Sequence, residues 1–81
     1  MSRMVMKNGD IVNLETYDWN TYQGPALRAA LIQEIRAKAN NCINDYPGQK
    51  IIFCFNSEAG AIPDDIKKML QDLHIEIQTW P

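Results

Sequence analysis

The residues of this chain best placed to do chemistry lie on one short segment, Ile11-Val12-Asn13-Leu14-Glu15-Thr16-Tyr17. In an extended chain alternate side chains share a face. Ile11, Asn13, Glu15 and Tyr17 therefore point one way, and Val12, Leu14 and Thr16 the other. Two polar groups between two large apolar ones is the pattern of a rim or of a surface facing a site. Just beyond, Tyr17, Trp19 and Tyr22 cluster with Asn20, Thr21 and Gln23. Such aromatics can stack on bases, anchor a protein interface or cover one end of a small core. Glu34 and Lys38 are four residues apart, the spacing of an ordinary helical ion pair worth a few tenths of a kcal/mol.

Other reactive groups carry less. His74, the single histidine, sits where a helix meets a strand, a place suited to the helix dipole or to a proton shuttle. Ser57 lacks the glycines of a nucleophile elbow. Ala59-Gly60-Ala61-Ile62-Pro63 has one glycine and no Lys-Ser/Thr, so it reads as a connection and not a phosphate loop. Cys42 and Cys54 are too few for a disulfide framework or a zinc site, and both lie in apolar segments as buried free thiols.

The elements that must position these residues follow from periodicity. Met4 to Lys7 reads as a first strand, Asn8-Gly9-Asp10 as a hairpin turn, and Ile11 to Tyr17 as the second strand. Pro25 opens a helix running to Asn44, with Leu27, Leu31, Ile35, Ala39, Cys42 and Tyr46 as its apolar stripe and Pro47-Gly48 as its stop. Lys50 to Phe55 is a near-continuous apolar run, which fits a strand buried on both faces and flanked by others. Pro63-Asp64-Asp65 opens a second helix with Ile66, Met69, Leu70 and Leu73 inside. Ile75, Ile77 and Thr79 alternate with Glu76, Gln78 and Trp80 in a last strand at an edge. The expected fold is α/β, of order β-β-α-β-α-β, with two right-handed crossovers, a four-stranded mixed sheet and two packed helices.

Eighty-one residues make one domain, residues 1–81, with a modest core. The net charge of −2 argues against a general nucleic-acid binder, whose affinity comes mostly from phosphate neutralisation. No apolar run is long enough to span a membrane, and Met1-Ser2-Arg3 is not followed by a signal-peptide core; both point to a cytoplasmic protein. The apolar-rich first hairpin has no preceding element to cover it, which predicts exposed apolar surface and a homodimer or a covering partner.

In this order the chain resembles the second half of the restriction-endonuclease-like core, and in particular the C-terminal nuclease domains of bacterial polymorphic and contact-dependent toxins. Tyr17-Asp18-Trp19, Leu31-Ile32-Gln33-Glu34-Ile35-Arg36 and Ile51-Ile52-Phe53-Cys54-Phe55 carry the likeness. In that family the hairpin strand holds a Glu that binds a divalent metal and a Lys that supports the attacking water. One register sets Asn13 at the Glu position and Glu15 at the Lys; the other sets Glu15 at the Glu and Tyr17 at the Lys. Neither supplies two carboxylates and a lysine, and Met1-Ser2-Arg3 lacks the metal-binding Asp that usually precedes the hairpin. Hard divalent metals take several oxygen ligands, and hydrolysis in this family depends on the metal.

Some such nucleases carry a catalytic acid or base on the following helix, from which Glu34 and Lys38 approach Glu15 across the sheet. The resemblance thus implies a shortened nuclease-like domain, inactive in isolation. Its remnant catalytic residues are Glu15, Glu34 and Lys38, with weak Mg²⁺ binding at Glu15. Asn13, Tyr17, Trp19, Tyr22, Gln33 and Arg36 are its binding residues, and its partners a second copy, an immunity protein or nucleic acid. A different class fits the same residues: a small non-enzymatic protein-binding or inhibitory module acting through the aromatic loop or a homodimer interface.

Overall fold

A computed structural model describes residues 2–80; Met1 and Pro81 lie outside them. The elements are β1 (Ser2–Val5), β2 (Ile11–Glu15), α1 (Pro25–Asp45), β3 (Ile51–Asn56), α2 (Asp64–Asp72) and β4 (Glu76–Trp80). They form one mixed sheet of order β1-β2-β3-β4, with β1 antiparallel to β2 and the other neighbours parallel. This is the α/β architecture expected from the sequence.

The hairpin turn is longer than two residues. The Gly9 N–H donates to the Met6 carbonyl at 2.9 Å, and the Asp10 N–H to Asn8 Oδ1 at 3.1 Å. Gly9 alone takes the left-handed conformation there, at φ 92°, while Asn8 contributes its side chain. A Cβ at Gly9 would meet only Gln49 Oε1, the movable end of an exposed side chain, at 3.0 Å, so it is the backbone conformation that favours glycine.

Both helices pack on one face. Register places Arg3, Asn13, Phe53 and Ile77 in one row across the sheet, and Glu15, Phe55 and Thr79 in the next. Crossovers of one hand that step in one direction across a sheet put their helices on the same side. The core accordingly joins Ile11, Phe53 and Phe55 to Leu31, Ile35, Ala39 and Cys42 of α1 and to Ile66, Met69 and Leu70 of α2. Ile51 to Phe55 is buried throughout, between two neighbours. The two cysteines are unbridged and buried.

Two expectations need correcting. Leu27 belongs to the helical stripe by spacing but is 52% exposed. It sits in the first turn of α1, beyond the reach of the sheet. The face of Ile11, Asn13 and Glu15 is not a rim: it is the layer beneath α1, and Asn13 and Glu15 are buried polar groups within it.

Among the described residues no helix packs on the opposite sheet face. Met4, Val12 and Ile52 share one row there with Glu76, and Leu14 and Cys54 share another with Gln78.

Candidate functional site at the strand ends

Parallel strands β2, β3 and β4 all end on one side, at Glu15, Asn56 and Trp80. In open α/β sheets ligands bind outside such carboxyl ends. A cleft of about 570 Å³ lies here, lined among others by Glu15, Tyr17, Tyr22, Glu34, Lys38 and Trp80.

Glu15 stands at the last position of β2 and is 3% exposed. Lys38 reaches it from the middle of α1. Its ammonium donates to Glu15 Oε2 at 3.4 Å and to the Tyr17 hydroxyl oxygen at 2.7 Å, and lies 5.1 Å from the Tyr17 ring centre. The Tyr17 hydroxyl in turn donates to Glu34 Oε2 at 3.2 Å. The result is a chain of alternating groups: carboxylate, ammonium, phenol, carboxylate. Among the described residues Glu15 Oε1 has no hydrogen-bond partner.

Each group's protonation follows from burial and charge. Burial pushes the Glu15 carboxyl above the usual glutamate range, and the nearby Lys38 ammonium opposes the shift. Tyr17 is pushed up to about 12, chiefly by burial, so it stays a phenol at neutral pH. Burial pulls Lys38 down, but Tyr17, Glu15 and Glu34 together outweigh it, so the net direction is up and the ammonium is retained. Neither Tyr17 as nucleophile nor Lys38 as free base is available in this state. What the cluster offers is a fixed cation between two carboxylates.

The local chain explains the geometry. The Tyr17 N–H donates to Asn56 Oδ1 at 3.1 Å, tying the end of β2 to the end of β3. Tyr17 then stacks on Trp19, with ring centres 5.3 Å apart, and Trp19 packs on Phe55. Glu34 and Lys38, four residues apart on α1, straddle the Tyr17 hydroxyl.

The structure thus brings Glu15, Tyr17, Glu34 and Lys38 together, with Tyr22 at the cleft wall. It keeps Asn13 apart. That residue is fully buried, and its Oδ1 accepts from Arg3 Nε at 3.4 Å and Cys42 Sγ at 3.5 Å. Arg3 is held by Asp45 at 3.1 Å and lies over the Tyr46 ring. Trp19 is 6% exposed, part of the core cover and not an open stacking platform. Gln33 is exposed and does not line the cleft, and Arg36 borders a separate hollow with Met69 and Leu73 of the α2 region.

Two contributors escaped the sequence reading. Asn56 is the polar residue ending an otherwise apolar strand, which is the signal that was available. Trp80 enters the cleft because β4 runs parallel to β3 and ends beside it.

A divalent metal does not fit this arrangement. Among the described residues no three of His, Cys, Asp and Glu gather as a metal site. The Lys38 ammonium also stands beside the one buried carboxylate that would ligate it. Comparison with protein-family models, curated proteins and solved structures finds no match.

Proposed function

We propose that this chain is a nuclease-like domain, of the kind carried by bacterial polymorphic and contact-dependent toxins, and that it is catalytically silent on its own. One observation carries the reading. Two carboxylates and a lysine, which β2 cannot supply by itself, meet in one cleft at the carboxyl ends of the parallel strands. Glu34 and Lys38 come from the helix. The silence follows from the same geometry: the metal-ligand set is incomplete and the lysine is engaged with Glu15.

Incubating the pure chain with DNA, tRNA and total RNA in Mg²⁺ and Mn²⁺, beside Glu15→Ala and Glu34→Ala variants, tests this. The expected result is no cleavage above background. Robust cleavage abolished by Glu15→Ala would overturn the silence. The nuclease-like reading itself predicts weak nucleic-acid binding lost in Lys38→Glu; a wild-type chain that binds none of the three sinks it.

A second reading, a protein-binding module, is favoured by the helix-free sheet face, where Val12 and Leu14 of β2 are half-buried beside exposed Met4. Met4 and Met6 are exposed on that side. Sedimentation across a concentration series separates the readings. Association abolished by Val12→Glu supports the module, and a monomer at every concentration removes its homodimer form.

A further inference from the structure

The Glu15 carboxylate is nearly excluded from water, yet among the described residues Oε1 has no partner and Oε2 has a long 3.4 Å contact. A buried charge so poorly satisfied is costly unless a cation stays close. Among the described residues the cation paired with it is Lys38, and it does more than pair with one acid. It also fixes the Tyr17 hydroxyl, which is then turned toward Glu34. Its side chain is 26% exposed and borders the cleft. A lysine stem has four rotatable carbons and a strongly hydrated head, so an exit into solvent is open to it.

We propose that Lys38 is a built-in counter-ion that stands in for a bound metal, holding the Glu15–Glu34 cleft closed to divalent cations. Neutralising Lys38 converts the cleft into a site for a small hard divalent cation, with Glu15 as its central ligand and Glu34 as the second. The second, independent observation is Glu15 Oε1, which is buried and has no hydrogen-bond partner among the described residues, so this carboxylate depends on a cation at its other oxygen. The choice of a divalent cation rests on the nuclease-like reading; the exclusion by Lys38 rests on the geometry alone.

Mn²⁺ titration followed by electron paramagnetic resonance tests the exclusion without any assay of activity. The proteins are the wild type, Lys38→Met, Lys38→Arg, Lys38→Met with Glu15→Gln, and Lys67→Met as a control for net charge at an exposed position of α2. The expected result is one Mn²⁺ site in Lys38→Met, bound at least tenfold more tightly than by the wild type. Lys38→Arg and Lys67→Met should behave as the wild type, and the double variant should lose the site. Lys38→Gln replaces Lys38→Met if circular dichroism shows that the methionine variant does not fold.

The proposal is overturned if neutralising Lys38 leaves Mn²⁺ affinity unchanged, if the gain survives Glu15→Gln, or if Lys67→Met gains as much. It is equally overturned if the wild type already binds Mn²⁺ as tightly as the variant. A Lys38→Met protein that binds Mn²⁺, beside a wild-type chain that binds no nucleic acid, keeps the exclusion and removes the nuclease-like reading, so the two failures are distinguishable.

Discussion

The Lys38 ammonium on α1 lies 3.4 Å from Glu15 Oε2 at the end of β2, joining residues 23 apart in the chain. One partner is buried and the other about a quarter exposed. Removing one member of a buried pair costs about 3–5 kcal/mol, because a charge is left alone in a poor solvent. Partial exposure of Lys38 and the length of the contact place this pair below that range. We expect Lys38→Met to destabilise by about 1–3 kcal/mol, and Glu15→Met/Lys38→Met to recover part of the loss. Urea unfolding of both single variants and the double variant gives the coupling; strictly additive losses would mean that the pair does not interact.

Tyr17 sets the alkaline limit. Its folded pKa of about 12 lies above the usual tyrosine value near 10. Between those values the folded state holds a proton that the unfolded state has released, so stability falls as pH rises through the window. Lys38, also raised, acts in the same direction: its contribution is complete below the ordinary lysine range and is lost above it. Absorbance titration of tyrosinate should show one late component near pH 12 that Tyr17→Phe deletes. If that variant retains the late component, the assignment fails.

His74 has the backbone of a glycine. Its φ is 60°, its N–H donates to the Gln71 carbonyl at 2.9 Å, and the Ile75 N–H donates to the Leu70 carbonyl at 3.0 Å. These are the two bonds of a Schellman ending to α2, with buried Ile75 and Leu70 as its apolar contact. The histidine's position owes more to this backbone than to proton chemistry. His74→Gly should stabilise the chain by about 0.5–1 kcal/mol, since glycine takes the left-handed region without a Cβ penalty. A thermal melt showing destabilisation would contradict the argument.

The fold was legible because β3, α1 and α2 announce themselves by apolar content and period. Ile51 to Phe55 reads as an interior strand since no polar residue interrupts it, and Ile66, Met69 and Leu70 recur at helical spacing. The meeting of Glu15 with Glu34 and Lys38 was legible in outline, because alternation puts Glu15 and Tyr17 on one strand face and the i, i+4 spacing puts Glu34 and Lys38 on one helix face. The Lys38–Tyr17 bond was not. It depends on where β2 ends relative to α1, and Asn56 sets that end by accepting from the Tyr17 N–H, a contact that no local pattern encodes. Asn13 misled for a related reason. Period 2 puts it beside Glu15, but Arg3 from the neighbouring strand covers it and keeps it from the cleft.

The two thiols should differ in rate. Cys42 is fully buried among α1, Asn13 and Arg3. Cys54 is 8% exposed and lies on the sheet face without helices, and its thiol is pushed up by burial. Native-state labelling should be slow for both, because little thiolate forms at Cys54 and Cys42 is sealed, with Cys54 the faster. Mass spectrometry after a timed pulse distinguishes them; rapid modification of Cys42 would contradict its packing.

Trp19 separates the worth of a ring from the worth of its polar edge. The side chain is buried against Tyr17 and Phe55, yet its indole N–H has no partner among the described residues. Deleting the ring removes core cover at the point where Tyr17 is positioned, so Trp19→Ala should cost about 3–5 kcal/mol. Trp19→Phe keeps an aromatic surface and removes the orphaned donor, whose burial alone costs about 1–3 kcal/mol. The two effects oppose, and we expect a net change below about 1 kcal/mol. Denaturant unfolding of both variants decides it. A phenylalanine variant as damaged as the alanine one would mean that the indole N–H has a partner in solution, and that this end of the sheet is held by a hydrogen bond and not by stacking.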